Sequence, residues 1–311
     1  MQLELDAMPT YLGKKMDVSP SAFGELRVST DIAADPAALR SRLAEDGYLF
    51  LPGLLDRSDV LAAREETLRR LEIAGYLDPA YSVTEAIPSA VLADGFIPQL
   101  AVGNESLKKV VFDGPMIEFY ERLLGGPVLH FDFVWLRAKL PGVTDATRPH
   151  YDVVFMGRGT KRLYTSWTPL EDVPREKGGL MILEGSHRLE DVKRTYGQLD
   201  VDTVCVNRHE PKDAQSGDRQ WETRVNGGIY ADDALALREN FGLRWLTADF
   251  RAGDVLLFGM FTMHASSDNH SRSLRLSADS RYQLASEPVD ERWIGENPPG
   301  HGPGGKRGMI C

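Results

Sequence analysis

His150-Tyr151-Asp152 places an imidazole and a carboxylate two residues apart. On a β-strand, positions i and i+2 point to the same side, so this pair is expected to grip one ion together. A further nitrogen ligand is available at His264, which follows the turn Ala252-Gly253-Asp254 and the apolar run Val255-Leu256-Leu257-Phe258. A histidine at the mouth of a buried strand is well placed to face the same ion. Arg275 and Ser277 stand eleven and thirteen residues beyond His264. They share one face of a strand, where a planar guanidinium and a hydroxyl together can bind a carboxylate. Taken singly, each element has an ordinary reading: a surface triplet, a satisfied core histidine, an ion-paired arginine. Taken jointly, two histidines and a carboxylate form a facial triad with open coordination positions, the ligand set of non-haem iron(II) oxygenases. Two of those positions suit the C1 carboxylate and C2 keto oxygens of 2-oxoglutarate and another suits dioxygen, with Arg275 fixing the far carboxylate of the co-substrate.

These residues need a scaffold, and the chain changes texture midway. Asp35-Pro36 is an N-cap followed by proline at the first helical position, which opens a helix running to about Asp46. Gly47 to Pro52 then reads as a short strand. Asp56 or Ser58 caps a second helix with Leu61, Leu68 and Leu71 near one face, ending by Gly75. Gly114-Pro115 interrupts the stretch 106–124, and the part from Pro115 to Leu124 is a good helix stopped by Gly125-Gly126. From Val128 onward the runs are short and β-rich: 128–140, 153–156, 163–168, 180–184, 203–206, 243–250, 255–258 and 274–283. Helices first and strands second predict an α+β chain with a mainly β core, a jelly roll whose N-terminal helices pack on one sheet. No linker separates two units, so one domain over 1–311 is expected. The stretch 188–250 is long for a connection and contains Trp221, Trp245 and scattered arginines, so a lid is expected there that chooses the substrate, with Arg208, Arg219, Arg224 and Arg244 available to meet an acidic one. The Gly- and Pro-rich tail, 298–311, is expected to be loop.

With 46 acidic against 36 basic residues the formal net charge is -10, which disfavours nucleic acid and anionic membranes as partners. Only Cys205 and Cys311 are present, so a disulfide framework is not expected, a CxxC metal site is excluded and a cytoplasmic setting is expected. No run approaches the roughly 18 apolar residues that a membrane helix requires. A small organic substrate is the expected partner.

The same residues resemble the phytanoyl-CoA dioxygenase family of iron(II)- and 2-oxoglutarate-dependent oxygenases. Asp46 to Gly53, Ser166-Trp167-Thr168-Pro169-Leu170, Gly178-Gly179-Leu180 and Gly185-Ser186-His187 look like its N-terminal and central segments. Ala252 to Phe258, His264, Asn269 and Arg275 to Tyr282 match its distal part in order and approximate spacing. The resemblance covers about 38–285. It implies a double-stranded β-helix with iron near one end, held by His150, Asp152 and His264. It further implies 2-oxoglutarate bound by Arg275 and Ser277, with Trp167 and Lys139 lining its pocket. Packing is the ordinary role for Trp167 and a solvated strand end that for Lys139. His187 has no metal role in the family pattern and reads as part of a strand-ending turn; His130, His209, His270 and His301 lack partner spacing. The implied reaction converts 2-oxoglutarate and dioxygen to succinate and carbon dioxide while a C–H bond is hydroxylated, and the Asp152 carboxylate fits hydroxylation because related halogenases have a small residue there. Desaturation, epimerisation and cyclisation use the same ligands. A non-catalytic jelly-roll binding protein is the competing class, but it has no need of an open-sided triad beside a carboxylate clamp.

Overall fold

The computed structural model describes residues 9–205, 228–301 and 307–309. Strands β1 (Thr10–Tyr11), β2 (Lys14–Lys15) and β3 (Phe23–Glu25) precede helix α1 (Pro36–Asp46). Asp35 accepts the N–H groups of Ala37 and Ala38, and Gly47 ends the helix at φ 79°, where a side chain is disfavoured. A Cβ on Gly47 would also lie 2.4 Å from the His187 ring, which therefore packs against this turn. Next come β4 (Tyr48–Leu51), α2 (Arg57–Ile73), α3 (Glu105–Phe112) and α4 (Gly114–Leu124). The buried face of α2 is Val60, Ala63, Thr67, Leu68 and Leu71; Leu61, expected on that face, is 38% exposed.

Strands β5 (Val128–His130) and β6 (Trp135–Lys139) split the run expected to be continuous, and α5 (Val153–Met156) replaces an expected strand. Asp152 is helical here, and its carbonyl accepts from Phe155 and Met156 N–H. Burial of Val153, Val154 and Met156 in one core cluster overrides their β preference. The remaining elements are β7 (Tyr164–Pro169), β8 (Leu180–Leu183), α6 (Glu190–Arg194), β9 (Thr203–Cys205), α7 (Ala234–Phe241), β10 (Trp245–Thr247), β11 (Val255–Gly259), β12 (His264–Ser266), β13 (Arg275–Leu284) and β14 (Arg307–Met309).

The larger sheet has the order β4-β11-β7-β13-β5, with β6 also pairing to β13; the smaller has the order β12-β8-β10-β3. Alternate residues explain the layering. Leu49, Leu51, Val255, Leu257, Leu276 and Ala278 face the helices, packing with Leu39, Leu68, Val110 and Phe119. Their neighbours Tyr48, Phe50, Trp167, Leu256 and Phe258 pack between the sheets against Leu180, Ile182 and Leu246. The result is a double-stranded β-helix with α1 to α4 on one face, buried on both sides of the larger sheet. Because β10 lies inside the smaller sheet, 245–247 is core and not part of a lid. Among the described residues no helix is long and apolar enough to cross a membrane.

Candidate active site

The site is built from three approaches to the open end between the sheets. β11 turns into β12 and delivers His264; an isolated bridge pairs His150 with His264 through mutual N–H to O=C bonds of 3.3 Å; and the helical turn after Tyr151 delivers Asp152. The expected strand pleat is therefore absent, and a bridge followed by a turn brings the side chains to one side instead. The ligand-type atoms of His150, Asp152 and His264 all lie within 4.8 Å of one another.

Asp152 Oδ1 stands 3.5 Å from His150 Nε2 and 3.7 Å from His264 Nε2. The Nδ1 atoms face the carbonyls of Arg148 at 2.8 Å and Thr262 at 3.0 Å. A carbonyl only accepts, so each ring donates from Nδ1 and turns Nε2 towards Asp152, the orientation of metal-ligating histidines. Burial, reinforced by His150, pushes His264 down to about 3, which keeps it neutral. Burial alone would raise the Asp152 carboxyl, yet the Arg281 guanidinium beside it holds it well below the usual carboxylate range. A neutral His264, the imidazole of His150 and an ionised carboxylate match the donor set that iron(II) requires.

Arg275 is 2% exposed. Its Nη1 donates to Ser277 Oγ at 2.5 Å, and its guanidinium lies 5.4 Å from the Trp167 ring centroid. Its Nε has no hydrogen-bond partner, and among the described residues no carboxylate forms an ion pair with it. Burial pushes its pKa down to about 10. A buried cation left in this state needs an anion from outside the chain. Trp167 is 2% exposed, packs edge-on to Phe250 at 4.7 Å, and also lines the cavity. Lys139, the cross-strand partner of Arg275, is buried and donates to the Asp145 carbonyl at 2.7 Å and to Ser266 Oγ at 2.9 Å; the solvated strand-end reading does not hold. Burial and Arg275 bring its pKa down to about 7. Gly178, at φ 75°, allows this approach, since a Cβ there would come within 2.8 Å of Lys139 Cε.

A cavity of about 660 Å³ joins these groups, bounded by His150, Asp152, His264, Trp167 and Arg275 and by Trp135, Arg137, Arg148, Phe155, Asp279, Arg281 and His301. Sequence reasoning passed over Arg281, Asp279 and Thr165. The alternation Arg275-x-Ser277-x-Asp279-x-Arg281 along one strand was the available signal. His301, set aside for want of spacing, reaches the cavity wall with Nδ1 2.7 Å from Asp202 Oδ2. Trp245 is fully buried and donates to the Ala234 carbonyl, and Arg244 pairs with Glu184, so neither serves a lid. Arg208, Arg219, Trp221 and Arg224 lie outside the described residues.

Residues 43–277 match the family model described as phytanoyl-CoA dioxygenase. The chain is similar to the 1-deoxypentalenic acid 11-beta-hydroxylase of Streptomyces arenae, 28% identical over 282 residues, which cover 85% of this chain and 87% of the relative. The Streptomyces exfoliatus enzyme of the same name is 27% identical, covering 83% and 84%. Among solved structures, the non-heme alpha ketoglutarate dependent carbocyclase SnoK from nogalamycin biosynthesis aligns with a TM-score of 0.58 at 21% identity, over 83% of this chain and 88% of that one. EctD from S. alaskensis, solved with 2-oxoglutarate and 5-hydroxyectoine, aligns at 0.53 and 19%, over 94% and 87%. The structural likenesses support the fold.

Proposed function

The chain belongs to the phytanoyl-CoA dioxygenase family of iron(II)- and 2-oxoglutarate-dependent oxygenases, and on that premise we propose that it hydroxylates a largely apolar small molecule bearing a carboxylate. Its metal is iron(II), and its co-substrates are 2-oxoglutarate and dioxygen. In this reading His150, Asp152 and His264 hold the metal, and Arg275, backed by Ser277, holds the distal carboxylate of 2-oxoglutarate. The observation that carries the reading is the pairing of a preorganised His-Asp-His cluster with a buried arginine that has no carboxylate ion pair among the described residues, both on one cavity.

Bound iron with its co-substrates supplies the oxidising power that places one oxygen atom in a C–H bond. The chain's part is geometric and electrostatic. Trp167 and Phe258 give the cavity part of its apolar wall. Arg137, 34% exposed, and Arg148, 46% exposed, line the same cavity with Phe96, Trp135 and Phe155, a mixture suited to an apolar body with an anionic end. The curated relatives are named for a carboxylic acid substrate, which agrees with that chemistry. A cytoplasmic setting fits the two cysteines of the sequence.

The test is substrate-dependent succinate formation with iron(II) and 2-oxoglutarate under air, with 1-deoxypentalenic acid first and then other apolar carboxylic acids, each beside its methyl ester. An acid should raise succinate and yield a product heavier by one oxygen atom. If esters react as well as acids, the carboxylate requirement is wrong; if no compound raises succinate, the hydroxylase reading of this substrate class fails.

A further inference from the structure

The two oxygens of Asp152 have unlike surroundings. Oδ1 faces both imidazoles, whereas Oδ2 accepts from Thr165 Oγ1 at 2.5 Å and from Arg281 Nη2 at 3.1 Å. Thr165 and Arg281 stand directly opposite each other on the antiparallel pair β7 and β13. Asp152 is 2% exposed, Thr165 1% and Arg281 3%, so all three partners of these contacts are buried. Arg281 lies over the Trp135 ring, its guanidinium carbon 3.8 Å from the centroid, and its Nε and Nη1 make no hydrogen bond. A buried cation needs a partner, and the shortest carboxylate contact of Arg281 goes to the Asp152 oxygen that faces away from the histidines, with Asp279 Oδ2 farther off at 4.0 Å from Nη1.

We propose that Arg281 and Thr165 are positioning residues that occupy Asp152 Oδ2, restrict the carboxylate to a single ligand atom, Oδ1, and so keep open a coordination position needed by the co-substrates. This rests on the reading of His150, Asp152 and His264 as the iron ligands. A free carboxylate gives one or both oxygens to a divalent ion. On a six-coordinate ion, two imidazoles and a bidentate carboxylate would leave two positions, one too few for the two oxygens of 2-oxoglutarate plus dioxygen. Two donors on Oδ2 take up the lone pairs that bidentate binding would use. Breaking them where both partners are buried is harder than in water, because an unpaired buried donor gains nothing in return. Stacking on Trp135 fixes the plane of the guanidinium, so charge alone is not the device: a lysine would bring the charge without the plane.

The test uses the full chain with Thr165→Val, Thr165→Ser, Arg281→Lys and Arg281→Met. Under argon, the affinity for Mn(II) is followed by its electron-paramagnetic signal, and the affinity for 2-oxoglutarate by the visible charge-transfer absorption of its chelate with iron(II). Thr165→Val removes only a hydroxyl. It should leave Mn(II) affinity within about threefold, weaken 2-oxoglutarate chelation by about tenfold, the worth of one charge-assisted hydrogen bond, and shift the absorption. Thr165→Ser should restore the native spectrum, and Arg281→Lys should behave like Thr165→Val. Native chelate spectrum and 2-oxoglutarate affinity in metal-loaded Thr165→Val overturn the proposal, and this variant decides alone if Arg281→Met does not fold. Native Mn(II) affinity in Asp152→Ala would instead sink the ligand assignment on which the proposal rests.

Discussion

Replacing Arg275 by leucine separates a co-substrate clamp from a structural ion pair, because the two roles predict opposite changes in the protein without ligand. The guanidinium is buried, its Nε is unpartnered, and its hydrogen bond goes to the neutral hydroxyl of Ser277. If the missing partner is the distal carboxylate of 2-oxoglutarate, the lost charge-assisted contact is worth about 2–5 kcal/mol, which weakens co-substrate binding roughly 30-fold to several-thousand-fold. The metal-free protein should meanwhile be as stable as the wild type or more so, since leucine removes an unpaired buried charge. Lysine at 275 should rescue poorly, having no fork to match a carboxylate. Anaerobic calorimetric titration of metal-loaded protein with 2-oxoglutarate gives the affinity, and urea unfolding of metal-free protein gives the stability. An unchanged 2-oxoglutarate affinity together with a stability loss of about 3 kcal/mol or more would refute the reasoning and make Arg275 a structural cation.

His264→Ala removes an oriented Nε2 and should abolish turnover and strongly weaken iron binding; a full equivalent of iron retained after desalting would remove His264 from the ligand set. Lys139 has an ordinary value of 10.5 and is held at about 7 in the fold, so between those values the unfolded chain carries a proton that the native protein lacks, and the stability it contributes rises with pH across that window. Relative to Lys139→Met, the wild type should therefore gain on the order of a few kcal/mol from pH 7 to 10.5, and a flat difference in denaturant unfolding would contradict the buried neutral amine. Arg244 and Glu184 are 38% and 43% exposed, so Arg244→Ala should change stability by less than about 1 kcal/mol and leave KM for the substrate unaltered. A tenfold rise in KM would return Arg244 to the substrate site.

The sequence displayed what local chemistry decides. Asp35-Pro36 and Gly47 bound α1 because capping and positive φ are properties of a few neighbouring residues. The run Val255 to Phe258 read as a strand because both its faces are apolar, and both are buried. His150, Asp152, His264 and Arg275 were visible as a spaced set. What stayed hidden depended on distant pairing. Val153 to Met156 looks β-forming, and only the cluster it joins explains its helical turn. Trp245 resembled a lid aromatic because its partner strand, Phe23–Glu25, lies near the other end of the chain. Arg281 was on view as one more alternating polar residue, but nothing local says that Thr165 stands across from it or that Asp152 comes between them.

That register ties the site together. Pairing with β6 sets Arg275 against Lys139, Ser277 against Arg137 and Asp279 against Trp135; pairing with β7 sets Asp279 against Trp167 and Arg281 against Thr165. Positions 275, 277, 279 and 281 thus share the cavity side, while Leu276, Ala278 and Tyr282 pack with the helices. A slip of one residue would exchange the sets, driving two arginines and an aspartate into the apolar layer beneath α4 and presenting leucine and alanine to the cavity. The apolar core therefore fixes the cavity side as well: the contacts that seat Leu276 and Tyr282 also place Arg275 at one end of the strand and Arg281, in contact with Asp152, nearer the other. Only one register buries Leu276, Ala278 and Tyr282 under the helices, so neither arginine can be displaced along the strand without unpacking that layer.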